Sequence, residues 1–363
     1  MAKVALVYDW LDTWGGAERV LTTLRKRFPN APLYTSFFNP KRAPWAKNWP
    51  IVTSFLQKTP LKHLHHRFLA PFFPLAFESF NFDAYDLVIS VSSFAAKGII
   101  TKPKTKHICY LLTPTRFLWL KQKKDYRPLH SYRFLISYLK RWDFMAAQRP
   151  DKIIAISQTV AQRCQKYYHR RAEKVIYPSV NTKKFFSGKK QEEITKHPYF
   201  LLVSRLEPHK KVSLAIEAFN KLKWPLKIIG TGSEEKKLKK QAKKNIQFLG
   251  HLTDKKLLRY YQRCQALIFP QEEDFGLVSL EAQACGRPVI AFGRGGAKET
   301  IKAGETGFFF YPQTAEALIK VLLKFGSQEY SKEIRKACLR NAQQFSEKKF
   351  LEQWGEVLKN YGF

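Results

Sequence analysis

Pro270-Gln271-Glu272-Glu273-Asp274-Phe275-Gly276-Leu277-Val278-Ser279-Leu280-Glu281 is the stretch whose reading decides the fold. Ahead of it, Ala266-Leu267-Ile268-Phe269 is a short apolar run with the pattern of a buried strand. Behind it, Leu277, Leu280 and Ala284 have helical spacing, and Gly286-Arg287-Pro288 supplies the stop. Glu273 then falls in a strand-to-helix loop and Glu281 about a turn inside the helix, with seven residues between them. Main-chain amides from Phe275 through Gly276 and Leu277 to Val278 lie at the positive end of that helix, where an anion is stabilised. Carboxylates on either side accept hydrogen bonds from hydroxyls. A ligand with phosphate in its middle and hydroxyls at both ends, such as a nucleotide sugar, fits that layout. Two glutamates at this spacing also fit a solvated helix face.

The same alternation of strand and helix runs in both directions. Val4 to Tyr8 reads as a strand, the loop ends in Gly15-Gly16, and Ala17 to Leu24 is helical, with Glu18 in its first turn. Further strands are read at Asp86–Ser90, His107–Leu111 and Lys152–Ser157, then at Tyr199–Ser204, Leu226–Ile229, Asn245–Leu249, Val289–Phe292 and Thr306–Phe310. Strands separated by helices predict parallel sheets with right-handed crossovers, an α/β chain. At 363 residues the chain is long enough for two domains, each with its own core. Asn181 to His197 is polar and lysine-rich and reads as the connection. The predicted domains are 1–180, to which a last helix at 346–363 is added, and 181–345.

Arg205-Leu206-Glu207-Pro208-His209-Lys210 follows a strand, and its two cations can converge on a diphosphate, Arg205 by its planar fork and Lys210 as a point charge. Taken alone, two cations in a chain this basic read more readily as surface charge. The whole pattern narrows the reading. Glu-Asp-Phe-Gly-Leu-Val with the second Glu, then Ala-Cys-Gly-Arg-Pro-Val-Ile-Ala, resembles the E-x7-E signature of the retaining glycosyltransferases of family 4. Gly15-Gly16-Ala17-Glu18-Arg19-Val20-Leu21 and the Arg205-to-Lys210 loop are similar to two further elements of that family.

The resemblance implies the GT-B fold: two Rossmann-like parallel-sheet domains facing each other across a cleft, with a C-terminal helix returning to the first. It implies that Arg205 and Lys210 stabilise the departing diphosphate and that Glu273 holds the transferred sugar. Glu281 is implied to hold the ribose hydroxyls, and Leu252 and Asp254 the nucleobase side of the donor. Gly15 and Gly16 are implied to approach the diphosphate, and Glu18 and Arg116 to serve the acceptor. Family members are described as front-face transferases, with the departing phosphate taking the acceptor proton. The family places His where this chain has Leu112, and often where it has Tyr8 and Ser93. The flavour of Asp-Trp-Leu, Gly-Gly-Ala-Glu-Arg and Glu-Asp-Phe-Gly is similar to bacterial mannosyltransferases of surface-polysaccharide assembly. GDP-mannose is therefore the first donor expected and a UDP-sugar the second, moving to a glycan or lipid-linked acceptor. No Asp-x-Asp pattern is present, and neither a metal nor a cofactor beyond the nucleotide-sugar co-substrate is expected.

The formal net charge of +35 attracts polyanions: nucleic acid, an anionic membrane face or phosphorylated substrates. Nucleic acid is the weakest of these, because no nucleic-acid-binding motif accompanies the charge. The five cysteines are scattered and form no CxxC pair, which suits a reducing cytoplasm. Met1 to Asp9 has no signal-peptide pattern, and no apolar run approaches the ~18–20 residues that span a bilayer. The expected location is cytoplasmic or peripheral on the inner membrane face. Residues 53–82 mix bulky apolar and basic side chains and fit equally a membrane-docking segment and a core helix with a solvated basic face. The aromatic stretch 131–149 reads as a core-facing helix. Two other readings stay open: a catalytically silent nucleotide-sugar-binding relative and a basic nucleic-acid-binding protein. A phosphorylase or epimerase of the same fold is a further rival.

Overall fold

The computed structural model describes residues 2–59, 69–120, 133–185, 198–326 and 332–363. The chain forms two compact units, Met1–Tyr177 with Leu351–Phe363, and Pro178–Phe350. The first unit holds β1 (Val4–Tyr8), β2 (Leu33–Thr35), β3 (Ile51–Thr53), β4 (Leu87–Ser92), β5 (Lys106–Leu111), β6 (Lys152–Ala155) and β7 (Lys174–Val175). Their order is β3-β2-β1-β4-β5-β6-β7, and every pairing is parallel. The second unit holds β8 (Phe200–Val203), β9 (Leu226–Ile229), β10 (Ile246–Phe248), β11 (Leu267–Phe269), β12 (Val289–Phe292) and β13 (Gly307–Phe310). These run β10-β9-β8-β11-β12-β13, again all parallel.

Parallel strands covered on both faces carry continuous apolar sequence, and β1, β4 and β11 do so, with almost every residue buried. Each sheet reverses its strand order once, between β1 and β4 in the first and between β8 and β11 in the second. Open sheets of this kind receive their ligands at such a switch point, outside the carboxyl ends of the strands. This is the α/β GT-B fold, built from two Rossmann-like units. The last helix, Glu347–Lys359, carries the chain back to the first unit. There Trp354 is fully buried, its ring 5.5 Å from that of Tyr110, and Lys174 pairs with Glu356 at 2.7 Å.

Three local expectations change. Of the predicted connection, Thr182–Phe185 is a short helix belonging to the second unit, because buried Phe185 packs its ring 6.0 Å from that of Tyr261; 186–197 lie outside the described residues. Residues 60–68 of the proposed docking segment also lie outside them. Its flanks are the turns Phe55–Lys58 and Ala70–Phe72 and the helix Phe73–Glu78, whose Phe73 and Phe77 are core. In the helix Arg133–Ala146, the buried face is Leu139, Trp142, Asp143 and Ala146. Phe134, Tyr138 and Met145 point outward instead, because their spacing puts them on the opposite side of the cylinder.

Candidate active site

Because the strands of each sheet run in one direction, the loops that follow them leave from one edge. In the second unit this gathers the segments after β8, β9, β10, β11 and β12. After β8, Leu206 is fully buried and donates its N–H to Thr231 O at 2.9 Å, which pins the loop between an exposed Arg205 and the turn Pro208–Lys210. After β9, Gly230 sits at φ +133°, and a Cβ there would stand 1.8 Å from Ser204 O. Only glycine lets those two loops touch.

The loop after β11 meets the loop after β8. Lys210 Nζ lies 2.5 Å from Glu273 Oε1, with the two side chains 12% and 23% exposed. The same carboxylate oxygen accepts from Gln271 Nε2 at 3.0 Å. From the other side, the N–H of Gly296 donates to Glu273 O at 2.8 Å, and a Cβ on Gly296 would stand 2.3 Å from Phe275 Cα. Glu273 is thus held by its backbone and by its side chain at the switch point. Gly276, at φ +93°, turns the chain into the helix Leu277–Ala284, and Phe275 is buried beside it. The first amides of any helix have no partner within it, so Leu277 and Val278 present the positive end to this edge.

Glu281 lies one turn into that helix and faces inward. The residue is 2% exposed, and its carboxylate accepts from the Tyr261 hydroxyl at 2.8 Å. Leu252 is half-buried after β10, and Asp254 opens the helix Asp254–Arg263. Among the described residues, no group of three or more His, Cys, Asp or Glu side chains is placed to hold a metal ion.

In the first unit, Gly15 caps the helix Gly16–Arg27 in extended backbone (φ −165°), so the double glycine does not use the left-handed freedom that glycine offers. A Cβ on Gly15 would come 3.2 Å from Glu18 Oε2. Glu18 is 2% exposed, and burial holds its carboxyl above the ordinary range although the Tyr8 hydroxyl donates to it at 2.8 Å. Arg116 is half-buried at the start of the helix Arg116–Trp119 that follows β5.

Two family models match the chain side by side: "Glycosyltransferase Family 4" over residues 14–184 and "Glycosyl transferases group 1" over residues 184–345. Both models describe glycosyl transferases, and together they span residues 14–345. An uncharacterized glycosyltransferase of Methanocaldococcus jannaschii is 29% identical over 208 residues, 56% of each chain, so this chain spans about half the length of that relative. The alpha-1,3/1,6-mannosyltransferase ALG2 of Dictyostelium discoideum is 24% identical over 82% of this chain and 84% of its own. Among solved structures, Anabaena HepE in complex with UDP superposes with a TM-score of 0.73 at 20% identity, covering 99% of this chain and 100% of that one.

Within the first unit, the three positions at which the family resemblance implies His have local occupations. Tyr8 donates to Glu18, Ser93 donates to Asp9, and Leu112 is buried with its N–H on Ser92 O. Sequence reading missed Gln271 and Tyr261, which touch Glu273 and Glu281, because contacts across loops and helices leave no spacing signal. It also missed an ionic cluster beneath the carboxyl edge of the first sheet. Lys97 is fully buried, and its Nζ lies 2.5 Å from Asp143 Oδ1 and donates to Phe94 O. Asp143 also accepts from Thr115 Oγ1 at 2.6 Å, Trp119 Nε1 at 2.7 Å and the Tyr168 hydroxyl at 2.7 Å.

Proposed function

We propose that this protein transfers a sugar from a nucleotide-sugar donor, with retention of anomeric configuration, to a glycan or lipid-linked acceptor. The observation that carries the reading is the meeting of Lys210 with Glu273 at the switch point of the second sheet, 63 positions apart in sequence. In the proposed step the bond from the anomeric carbon to the diphosphate oxygen breaks as the acceptor hydroxyl attacks from the same face. The departing phosphate takes the hydroxyl proton. Lys210, Arg205 and the amides at Leu277 and Val278 stabilise the negative charge that grows on the diphosphate, an electrostatic contribution present before the reaction begins. Glu273 holds hydroxyls of the transferred sugar. Glu281, oriented by Tyr261, would receive the ribose hydroxyls after a small outward movement. No metal or further cofactor enters this proposal.

The mannosyltransferase named among the relatives supports GDP-mannose as the first donor to try, and the UDP complex of Anabaena HepE supports UDP-sugars as the second. A thermal-shift panel of GDP, UDP, GDP-mannose and UDP-glucose tests this on the full chain. A ligand at 100 times its Kd adds about 2.7 kcal/mol of stability by mass action. One nucleotide class is expected to raise Tm, and Glu281→Ala to abolish that rise. No rise with any nucleotide would remove the donor-binding reading.

A second element of the proposal is peripheral contact with an anionic bilayer. The helix Arg133–Ala146 leaves Phe134 94% exposed, with Tyr138 and Met145 on the same side and Arg133 and Arg141 beside them. Exposed aromatics flanked by guanidinium groups suit the headgroup region. The described residues contain no helix long and apolar enough to cross a membrane. Vesicles containing anionic phospholipid are expected to bind the protein, neutral vesicles much less, and Phe134→Ser with Tyr138→Ser to weaken the binding. Equal binding to neutral vesicles would dismiss the electrostatic contact.

A further inference from the structure

The first sheet also has a switch point, between β1 and β4, and something already occupies it. Asp9 follows β1 directly and is fully buried. Its Oδ1 accepts from the N–H groups of Ala95 and Ala96, both at 2.8 Å. Its Oδ2 accepts from the N–H of Ser93 at 2.7 Å, the Ser93 hydroxyl at 2.9 Å and the N–H of Phe94 at 3.0 Å. Four consecutive amides and one hydroxyl therefore converge on one carboxylate, in the segment that leaves the carboxyl end of β4. Successive main-chain N–H groups curved around a point form a concavity that binds anions. In open sheets of this topology, the switch point is where a ligand is received.

We infer that Asp9 is a built-in anion that fills this amide concavity, and is thereby the positioning residue for Ser93–Gly98 at the switch point of the first sheet. Two consequences follow from the geometry. The Ser93–Ala96 amides are committed, so a phosphate or carboxylate of a ligand has no place at this point. The segment is also fixed from both ends, by Asp9 at Ser93–Ala96 and by the Lys97–Asp143 pair one residue later. It is a rigid wall rather than a closing loop. The inference rests on the first unit alone and does not depend on the donor assigned to the second.

The test is a gain of anion binding. In the full-length protein, Asp9→Gly empties the concavity while leaving its amides in place. The variant is expected to melt at a lower temperature than the wild type, and sodium formate to raise its Tm saturably while sodium chloride of equal ionic strength does not. Wild type is expected to show no formate-specific rise. Amide hydrogen exchange at Ser93–Ala96 is expected to be about tenfold or more faster in Asp9→Gly and to slow again in formate. Formate acting no differently from chloride on the variant, or unchanged exchange at Ser93–Ala96, would overturn the inference. Should Asp9→Gly fold neither with nor without formate, Asp9→Asn decides. Asparagine fills the same space but turns an NH2 toward two of the amides. Lost protection at Ser93–Ala96 that formate does not restore is then the expected result, and wild-type protection overturns the inference. GDP and UDP shifts recorded on the same samples report the second unit separately. Their absence from wild type as well would count against the proposed function and leave this inference untouched.

Discussion

Lys210→Met is expected to lower the turnover of the nucleotide-sugar donor by about 10²- to 10³-fold, a loss of ~2.7–4 kcal/mol by analogy with removal of one oxyanion donor. The reason is position. Lys210 is the third residue of a short turn whose N–H donates to Glu207 O at 2.9 Å, and Glu207 in turn accepts from Ser233 Oγ at 2.7 Å. The cation is therefore delivered to the switch point by a braced loop, and its partner Glu273 is clamped by Gln271 and Gly296. Little needs to move when charge develops on a leaving phosphate beside it. Glu273→Gln separates the two roles, since a glutamine can still accept from Gln271 while losing the charge that pairs with Lys210. It is expected to lower kcat for the correct donor with a smaller effect on nucleotide affinity. Steady-state release of nucleoside diphosphate, with kcat and KM resolved, checks both variants. Turnover unaffected in both would place the reacting centre away from this pair.

The second large effect concerns stability. Asp143→Ala is expected to destabilise the first unit by about 3–5 kcal/mol, because it leaves the fully buried Lys97 ammonium without its counter-charge. The loss also strands the donors of Thr115, Trp119 and Tyr168. Lys97→Met should cost less, as Asp143 keeps those three hydrogen bonds. The double variant Lys97→Met with Asp143→Leu should recover part of the loss, since a buried pair replaced by apolar groups of similar volume is often neutral or better. Denaturant unfolding of these proteins together with Asp143→Leu, which closes a double-mutant cycle with Lys97→Met, measures the coupling. Equal cost for Asp143→Ala and for an exposed control such as Glu217→Ala would show that the pair contributes nothing.

Much of the second unit was legible because its chemistry is local in sequence. The strand ending at Phe269, the acidic loop and the helix from Leu277 are contiguous, so one stretch carries a buried element, a glycine turn and a helix start. The Arg205-to-Lys210 loop is legible for the same reason. The first unit was harder to read. Asp9 and Lys97 carry no spacing signal, since the groups that meet their charges lie far along the chain. Asp9 finds its donors 84 to 87 positions away, and Lys97 finds Asp143 at a separation of 46. The outward Phe134 and Tyr138 were misread because aromatic content was taken as burial, while the helical period puts Trp142 and Ala146 on the inner face.

The sequence alone located ten of the thirteen described strands, all but β2, β3 and β7, and indicated that their alternation with helices builds parallel sheets and which loops carry anion-binding and carboxylate groups. Those properties depend on residues a few positions apart, where periodicity and turn chemistry act. Tertiary structure alone decided the strand order, and with it the two switch points. It brought Lys210 to Glu273, turned Glu281 onto Tyr261 and filled the crevice of the first sheet with Asp9. The physical reason is that a hydrogen bond or an ion pair depends on distance in space, which is set by the path of the chain through the fold and not by spacing along the sequence.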